Sequence, residues 1–348
     1  DHMDNITLID ILGTNGTLSK EELIVLLSTF SDEDRKYAAG KAQELSLSIF
    51  GRKIYSRGLV EISNYCRNDC YYCGIRKSNS NAVRYRLSED EIYFCCDWGY
   101  EAGFRTFVLQ GGEDSYFTDD LLVKIISSIK YKYNDCAITL SLGEKERSSY
   151  QRLFDAGADR YLLRHETACD RHYSLLHPPA LTLSERKRCL YDLREIGFQT
   201  GCGLMVGSPF QTKENLADDL LFMKEFGPQM VGIGPFIPHR DTPFRDRPAG
   251  SAEDSLFMLS LVRLMHPRVL LPATTALGTV RSDGREQGIL AGANVVMPNI
   301  TPLEARKNYM LYDNKIGTSD DPLESLAYVR QKIEGIGYEI PIERGDYS

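Results

Sequence analysis

Gly58-Leu-Val-Glu-Ile-Ser63-Asn-Tyr-Cys66-Arg-Asn-Asp-Cys70-Tyr-Tyr-Cys73-Gly-Ile-Arg76 joins two patterns in one stretch. Residues 58–62 form a short, mostly apolar run of the kind that makes a buried strand. Three cysteines follow within eight positions, with three and then two residues between them. Asn68 and Gly74 suit the tight turns that such a loop needs. In parallel α/β domains, chemistry gathers at the carboxyl ends of strands, which is where this loop lies.

Outward from this stretch the chain alternates. Further apolar runs at 106–110, 137–141, 160–164, 199–205, 230–233, 269–272 and 295–297 read as strands. Helical patterns fall between them at 89–102, 119–131, 147–156, 184–196, 212–225, 252–265 and 284–291, and a last helix is expected at 322–335. Turn markers such as Ala156-Gly-Ala-Asp159 separate them. Eight strands, each followed by a helix, predict a complete (β/α)8 TIM-type barrel over residues 51–348, with a C-terminal helical segment. A doubly wound sheet also alternates, but no Gly-rich dinucleotide loop is present. Residues 1–50 read as an N-terminal helical extension, with Ser19/Glu22 and Ser31/Asp34 as capping pairs. Asp1-His2-Met3 reads as a cloning remnant.

The 348 residues carry a net charge of −8, which argues against a nucleic-acid partner. No apolar run is long enough for a membrane span, and no secretory leader opens the chain, so a reducing cytoplasmic setting is expected. Nine cysteines, an odd and locally clustered set, read as ligands and small core residues rather than as a disulfide framework. Cys66, Cys70 and Cys73 can hold a 4Fe-4S cube and leave one iron open. A structural zinc ion would need a fourth ligand, and no His or Cys lies close in sequence.

Other strand ends carry polar or small groups. Gln110-Gly111-Gly112-Glu113 permits close backbone approach and offers a carboxylate. Arg164 and Glu166 share one side of the chain, and His165 takes the other. Arg186 opens a helix, Thr274 and Thr275 end a strand, and Met205 and Met230 suit either an adenine contact or plain core. Tyr72 would present its ring and backbone at the mouth of the site.

The spacing of the three cysteines resembles the signature of the radical S-adenosylmethionine (SAM) superfamily. That resemblance implies one 4Fe-4S cluster as cofactor, SAM chelated at the open iron, reductive cleavage of SAM and a 5′-deoxyadenosyl radical. Over residues 56–312 the chain resembles the HydE type of FeFe-hydrogenase maturase. The similarity is carried by Glu61 to Arg76, Leu109 to Asp114, Thr139 to Glu144, Ala156 to Thr167, Met230 to Pro238, Pro272 to Ala276 and Gly292 to Asn299. It implies SAM contacts from Tyr72, Gly111, Gly112, Glu113, Glu166, Arg186 and Met230. It implies a substrate cavity lined by Gln110, Arg164, Thr274, Thr275, Met297 and Tyr312. The implied substrate is an iron–carbonyl–cyanide–cysteine species attacked at sulfur during assembly of the H-cluster. Other maturation proteins, and a reductant such as ferredoxin or flavodoxin, are the implied partners. Some members hold a second cluster on three later cysteines; here none follows Cys202. Biotin synthase and methylornithine synthase share the barrel and the loop, and a non-catalytic iron–sulfur carrier is the alternative of another class. An RNA-modifying radical enzyme would be expected to show a basic face and an added domain.

Overall fold

The computed structural model describes residues 3–317 and 326–348. Three helices open the chain: α1 (Asn5–Asn15), α2 (Lys20–Thr29) and α3 (Asp32–Phe50). Ser19 and Ser31 cap α2 and α3, and each forms the reciprocal capping box expected, with Glu22 and Asp34. These helices share one hydrophobic core with the rest of the chain, and Phe30 stacks on Phe257 at 4.0 Å.

A short strand β1 (Tyr55–Ser56), which the sequence pattern did not indicate, precedes β2 (Gly58–Ser63), the first strand of the alternation. Then follow α4 (Glu89–Glu101), β3 (Thr106–Gly111), α5 (Asp119–Lys132), β4 (Ala137–Ser141), α6 (Arg147–Asp155) and β5 (Arg160–Leu162). Next come α7 (Asp170–Leu176), α8 (Leu183–Ile196), β6 (Gln199–Val206), α9 (Lys213–Phe226), β7 (Met230–Pro235) and α10 (Ala252–Met265). The short helices α11 (Thr275–Val280) and α12 (Gly284–Leu290) lead to β8 (Val295–Val296), followed by α13 (Leu303–Arg306) and α14 (Leu326–Gly335). The expected start of the last helix, at Pro322, lies outside the described residues, as do Asp1 and His2.

β2 to β7 pair in parallel in chain order, and β1 pairs with β8. Single bridges close the ring. Met230 bridges Leu270, Pro272 bridges Val295, and Leu59 bridges Asn299. Residues 269–272 therefore occupy the seventh position of the barrel without being a regular strand. Pro272 has no N–H to extend a ladder. The Leu271 amide also bonds a side chain, the Asn294 oxygen, at 2.8 Å. The eight-membered barrel is thus complete, with two of its staves reduced to bridges or a two-residue strand.

Side-chain alternation sorts the interior into levels. The lower level holds Val108, Thr139, Leu162, Met230, Leu270, Val295 and Met297, around a small void. Beneath it the C-terminal tail seals the floor: Arg57 donates to the carbonyls of Arg344 and Gly345, each at 2.7 Å, and Arg160 bonds Asp346 at 2.6 Å. Above it, Glu61, Gln110, Arg164 and Asn299 replace the usual branched aliphatic layer with polar groups. Gly203 cannot carry a Cβ, which would lie 2.0 Å from the Gly232 carbonyl oxygen, whereas a Cβ on Gly232 would meet open space. The lower level is apolar above a floor closed by charged tail contacts; the carboxyl end is polar.

Candidate active site

The cysteine loop after β2 sits on that polar end. Its shape is set by main-chain bonds and two internal arginines. Arg84 donates to the carbonyls of Asn64, Ile75, Arg76 and Asn79, and Arg76 donates to that of Cys70 at 3.1 Å. Gly112 lies directly under the loop: its amide bonds Ser63 O at 3.1 Å, and a Cβ there would stand 2.1 Å from Tyr65 O and 2.8 Å from Cys66 Cβ. The bonds Asn68 Nδ2–Glu113 and Arg67–Glu113 (2.9 Å) brace the loop from below. Glu113 is thus occupied in holding the loop, and Gly143 leaves room for its carboxylate, since a Cβ there would lie 2.2 Å from Glu113 Cγ.

Cys66, Cys70 and Cys73 are all unpaired and half-buried. Burial pushes all three thiols up, Cys70 to about 12. Such thiols stay protonated until a cationic centre compensates their thiolates, which is what ligation supplies. Among the described residues no three His, Cys, Asp or Glu side chains converge on a single ion. Three thiolates on one loop can each bind a different iron of a 4Fe-4S cube, so the loop fits a cluster and leaves one iron open.

The opposite wall is built by the chain after β5. Glu166 is buried in a left-handed conformation, φ 66°, held by its amide on Gly203 O at 3.0 Å. For a non-glycine residue that conformation is strained, and such strain gathers at functional sites. Glu166 Oε1 lies 3.2 Å from Arg164 Nε, yet Glu166 Oε2 and Arg164 Nη2 are buried without a hydrogen-bond partner. Buried polar atoms are normally satisfied, so these mark Arg164 and Glu166 as candidates to receive a ligand. His165 faces away as expected, bonding Asp219 at 3.0 Å in the core.

Arg186 lies in the first turn of α8. It is buried, donates to Glu144 at 2.7 Å and to Arg164 O at 2.6 Å, and so ties the ends of β4, β5 and α8 together. Tyr72 donates its hydroxyl to His177 Nε2 at 2.9 Å, while His177 Nδ1 bonds Tyr173 O at 2.9 Å. His177 stacks on Tyr173, and burial holds its imidazole down at about 3. The ring is neutral and fixed in the tautomer that accepts from Tyr72.

Other expected site residues are distributed unevenly. Gln110 faces the interior and reaches Tyr309 OH at 3.5 Å. Thr274 caps α11 and sits against Gly234, where a Cβ would lie 2.6 Å from its hydroxyl. Thr275 begins that helix at the same end. Tyr312 follows β8 beside the cysteine loop, because Leu311 O accepts the Gly74 amide at 2.8 Å. Met230 and Met297 belong to the apolar lower level, with Leu270 and Val295. Met230 opens β7 at its amino end, so burial in the floor and not contact with an adenine accounts for it.

Several residues of the site gave no isolated signal in the sequence. Glu144 is the partner of Arg186. Glu61 is fully buried and bonds Asn299 at 2.6 Å and Lys315 at 2.7 Å. Tyr309 is buried beside Gln110. An acid inside an apolar strand, as in Gly58-Leu-Val-Glu61-Ile, was the one visible clue to this group.

The radical SAM superfamily model matches residues 60–223. The chain is 44% identical over 296 residues to the FeFe hydrogenase maturase subunit HydE of Thermotoga maritima, covering 85% of this chain and 84% of that protein. It is 28% identical to 3-methylornithine synthase of Methanosarcina acetivorans over 92% of this chain and 90% of that one. The crystal structure of methylornithine synthase superposes with a TM-score of 0.83 at 24% identity, covering 96% of this chain and 97% of that chain. An α/β barrel open to chemistry at one end, a three-cysteine loop suited to a 4Fe-4S cluster and these relationships agree: the chain is a radical SAM enzyme and belongs to the HydE family.

Proposed function

We propose that this enzyme acts in FeFe-hydrogenase maturation, using an adenosyl radical on a small sulfur-containing organometallic precursor of the H-cluster. The observation that carries the reading is the pair Arg164 and Glu166, which carry buried, unpartnered polar atoms beside the cysteine loop in a chain of this family. The cluster and SAM supply reductive sulfonium cleavage; the protein binds, orients and excludes water. Cys66, Cys70 and Cys73 hold the cluster. Gly111 and Gly112 bring backbone close to SAM, Glu166 and Arg186 receive its polar groups, and Tyr72, set by His177, closes one side. Glu113 acts through the loop that it braces. Gln110, Arg164, Thr274, Thr275 and Tyr312 line the substrate space, where Arg164 suits an anionic or cyanide group. Met230 and Met297 serve as floor. Residues 51–348 form the catalytic barrel, with the helices before them as an extension. A ferredoxin or flavodoxin delivers the electron in the cytoplasm, and other maturation proteins hand the precursor over.

An anaerobic hydrogenase-maturation assay tests this. Wild type should support maturation and Cys66→Ala should not. Arg164→Lys should retain about four irons and SAM cleavage while losing roughly tenfold or more of the maturation. A wild type that fails to mature hydrogenase, but makes methylornithine or biotin, sinks the assignment.

A further inference from the structure

Residues 308–316 run across the mouth of the barrel from the loop after β2 to the loop after β7. Asn308 O accepts from Asn64 Nδ2 at 2.9 Å, and Leu311 O accepts the amide of Gly74, next to Cys73, at 2.8 Å. At the other end the Asp313 amide bonds Pro238 O at 3.0 Å, and the Asp313 carboxylate accepts the Arg240 amide at 2.8 Å. Gly74 is packed so closely beneath this segment that a Cβ would lie 2.0 Å from Met310 O. From this segment Lys315 turns down into the barrel. Its ammonium meets Glu61 at 2.7 Å and the Tyr309 carbonyl at 3.0 Å, and lies 4.9 Å from the Tyr309 ring centroid. Glu61, Asn299, Tyr309 and Lys315 are all buried.

A buried ion pair is a poor device for stability, since apolar residues of the same volume serve as well or better. Its best-attested use is to fix one arrangement among several. Here the cation is on the crossing segment and the anion on a barrel strand, so the pair reads out whether the segment is seated. Seating also places Tyr309 against Gln110, at the wall of the interior space. Resting on the radical SAM reading, we propose that Lys315 is a positioning residue: its ion pair with Glu61 holds 308–316 as a strap that closes the reaction space to solvent and sets Tyr309.

The test compares Lys315→Met with the double variant Glu61→Gln/Lys315→Met, which removes both charges. In the single variant the Glu61 carboxylate loses the Lys315 ammonium and the strap unseats. Amide exchange over 308–316 and at Gly74 should rise about tenfold or more, with secondary structure and melting near wild type. In the cluster-loaded protein, deoxyadenosine formed without substrate should rise roughly fivefold, because an opened site admits hydrogen donors from solvent and buffer. The double variant has no stranded charge but still lacks the tie, so both readouts should stay raised about threefold or more over wild type, though less than in the single variant. Unchanged strap exchange in the single variant overturns the proposal. So does a loosened strap with unchanged substrate-free cleavage, or a double variant that matches wild type in both readouts, since the pair would then not be what seats the strap. Global unfolding of both variants assigns the pair to folding alone and overturns it too. None of these readouts requires hydrogenase, so they stand apart from the maturation assay.

Discussion

Arg186 shows how much one residue can carry in this fold. A solvated helix arginine would be expendable, but this guanidinium is buried between Glu144 and the Arg164 carbonyl. It shapes the wall that also holds the strained Glu166, and in our reading it receives a polar group of SAM. Charge-assisted hydrogen bonds contribute about 1.5–3 kcal/mol each, so Arg186→Ala should weaken SAM binding roughly ten- to a hundredfold. Equilibrium binding to the cluster-loaded protein measures it. Glu144→Gln keeps the shape and removes the countercharge, and should lie between wild type and Arg186→Ala. A SAM dissociation constant unchanged in Arg186→Ala would reduce the residue to a structural tie.

Among the elements, the turn at the end of β3 governs whether the cysteine loop can form. Two consecutive glycines look permissive in sequence, yet only one is strictly confined. A Cβ on Gly111 would have 3.3 Å to its nearest neighbours, whereas one on Gly112 would collide with the Tyr65 carbonyl and Cys66. Gly112→Ala should therefore displace the loop and cut iron retained after reconstitution by about half or more, while Gly111→Ala costs far less. Iron and sulfide analysis, with circular dichroism as a folding control, distinguishes the two. Equal iron contents would show that the loop does not depend on this contact. The same logic links β6 and β7, where Gly203 lets the strands approach and Gly232 leaves the interior open.

For the molecule as a whole, acid should be destabilising through buried imidazoles: burial lowers His172 and His239, and lowers two others furthest. Burial lowers His177 to about 3 and His266 to about 4. Both are neutral in the fold, whereas in the unfolded chain they take up a proton near pH 6.5. Between about pH 4 and 6.5 the unfolded state therefore binds more protons, and stability rises with pH across that window. Each group contributes about 2 kcal/mol of difference between pH 5 and pH 7. Melting of the cluster-free protein should climb over this interval and level off above pH 7. His266→Asn should flatten the climb; a slope unaffected by that change would place the titration elsewhere. His266 serves better than His177, since the latter also orients Tyr72.

The barrel was legible in the chain because periodicity and turn residues are local properties. Helix α10 has the boundaries that its pattern indicates, and the capping boxes of α2 and α3 formed as read. The cysteine loop was legible for the same reason: its three cysteines lie within eight residues. What the pattern missed depends on closure. β1 exists, and the expected 269–272 strand is reduced to bridges, because a ring must pair its last staves with its first, and that pairing leaves little trace in local propensity. Met230 illustrates a harder limit, since alternation shows which side of a strand a residue takes but not its depth along the barrel. Glu144 with Arg186, and Glu61 with Lys315, are paired across 42 and 254 residues, and no local spacing marks such partners. The sequence by itself determined the fold class and the three-cysteine loop, both legible in short-range patterns. Only the tertiary structure decided which polar groups share the barrel mouth and which lie in its floor, because that follows from register and from segments that meet only when the ring closes.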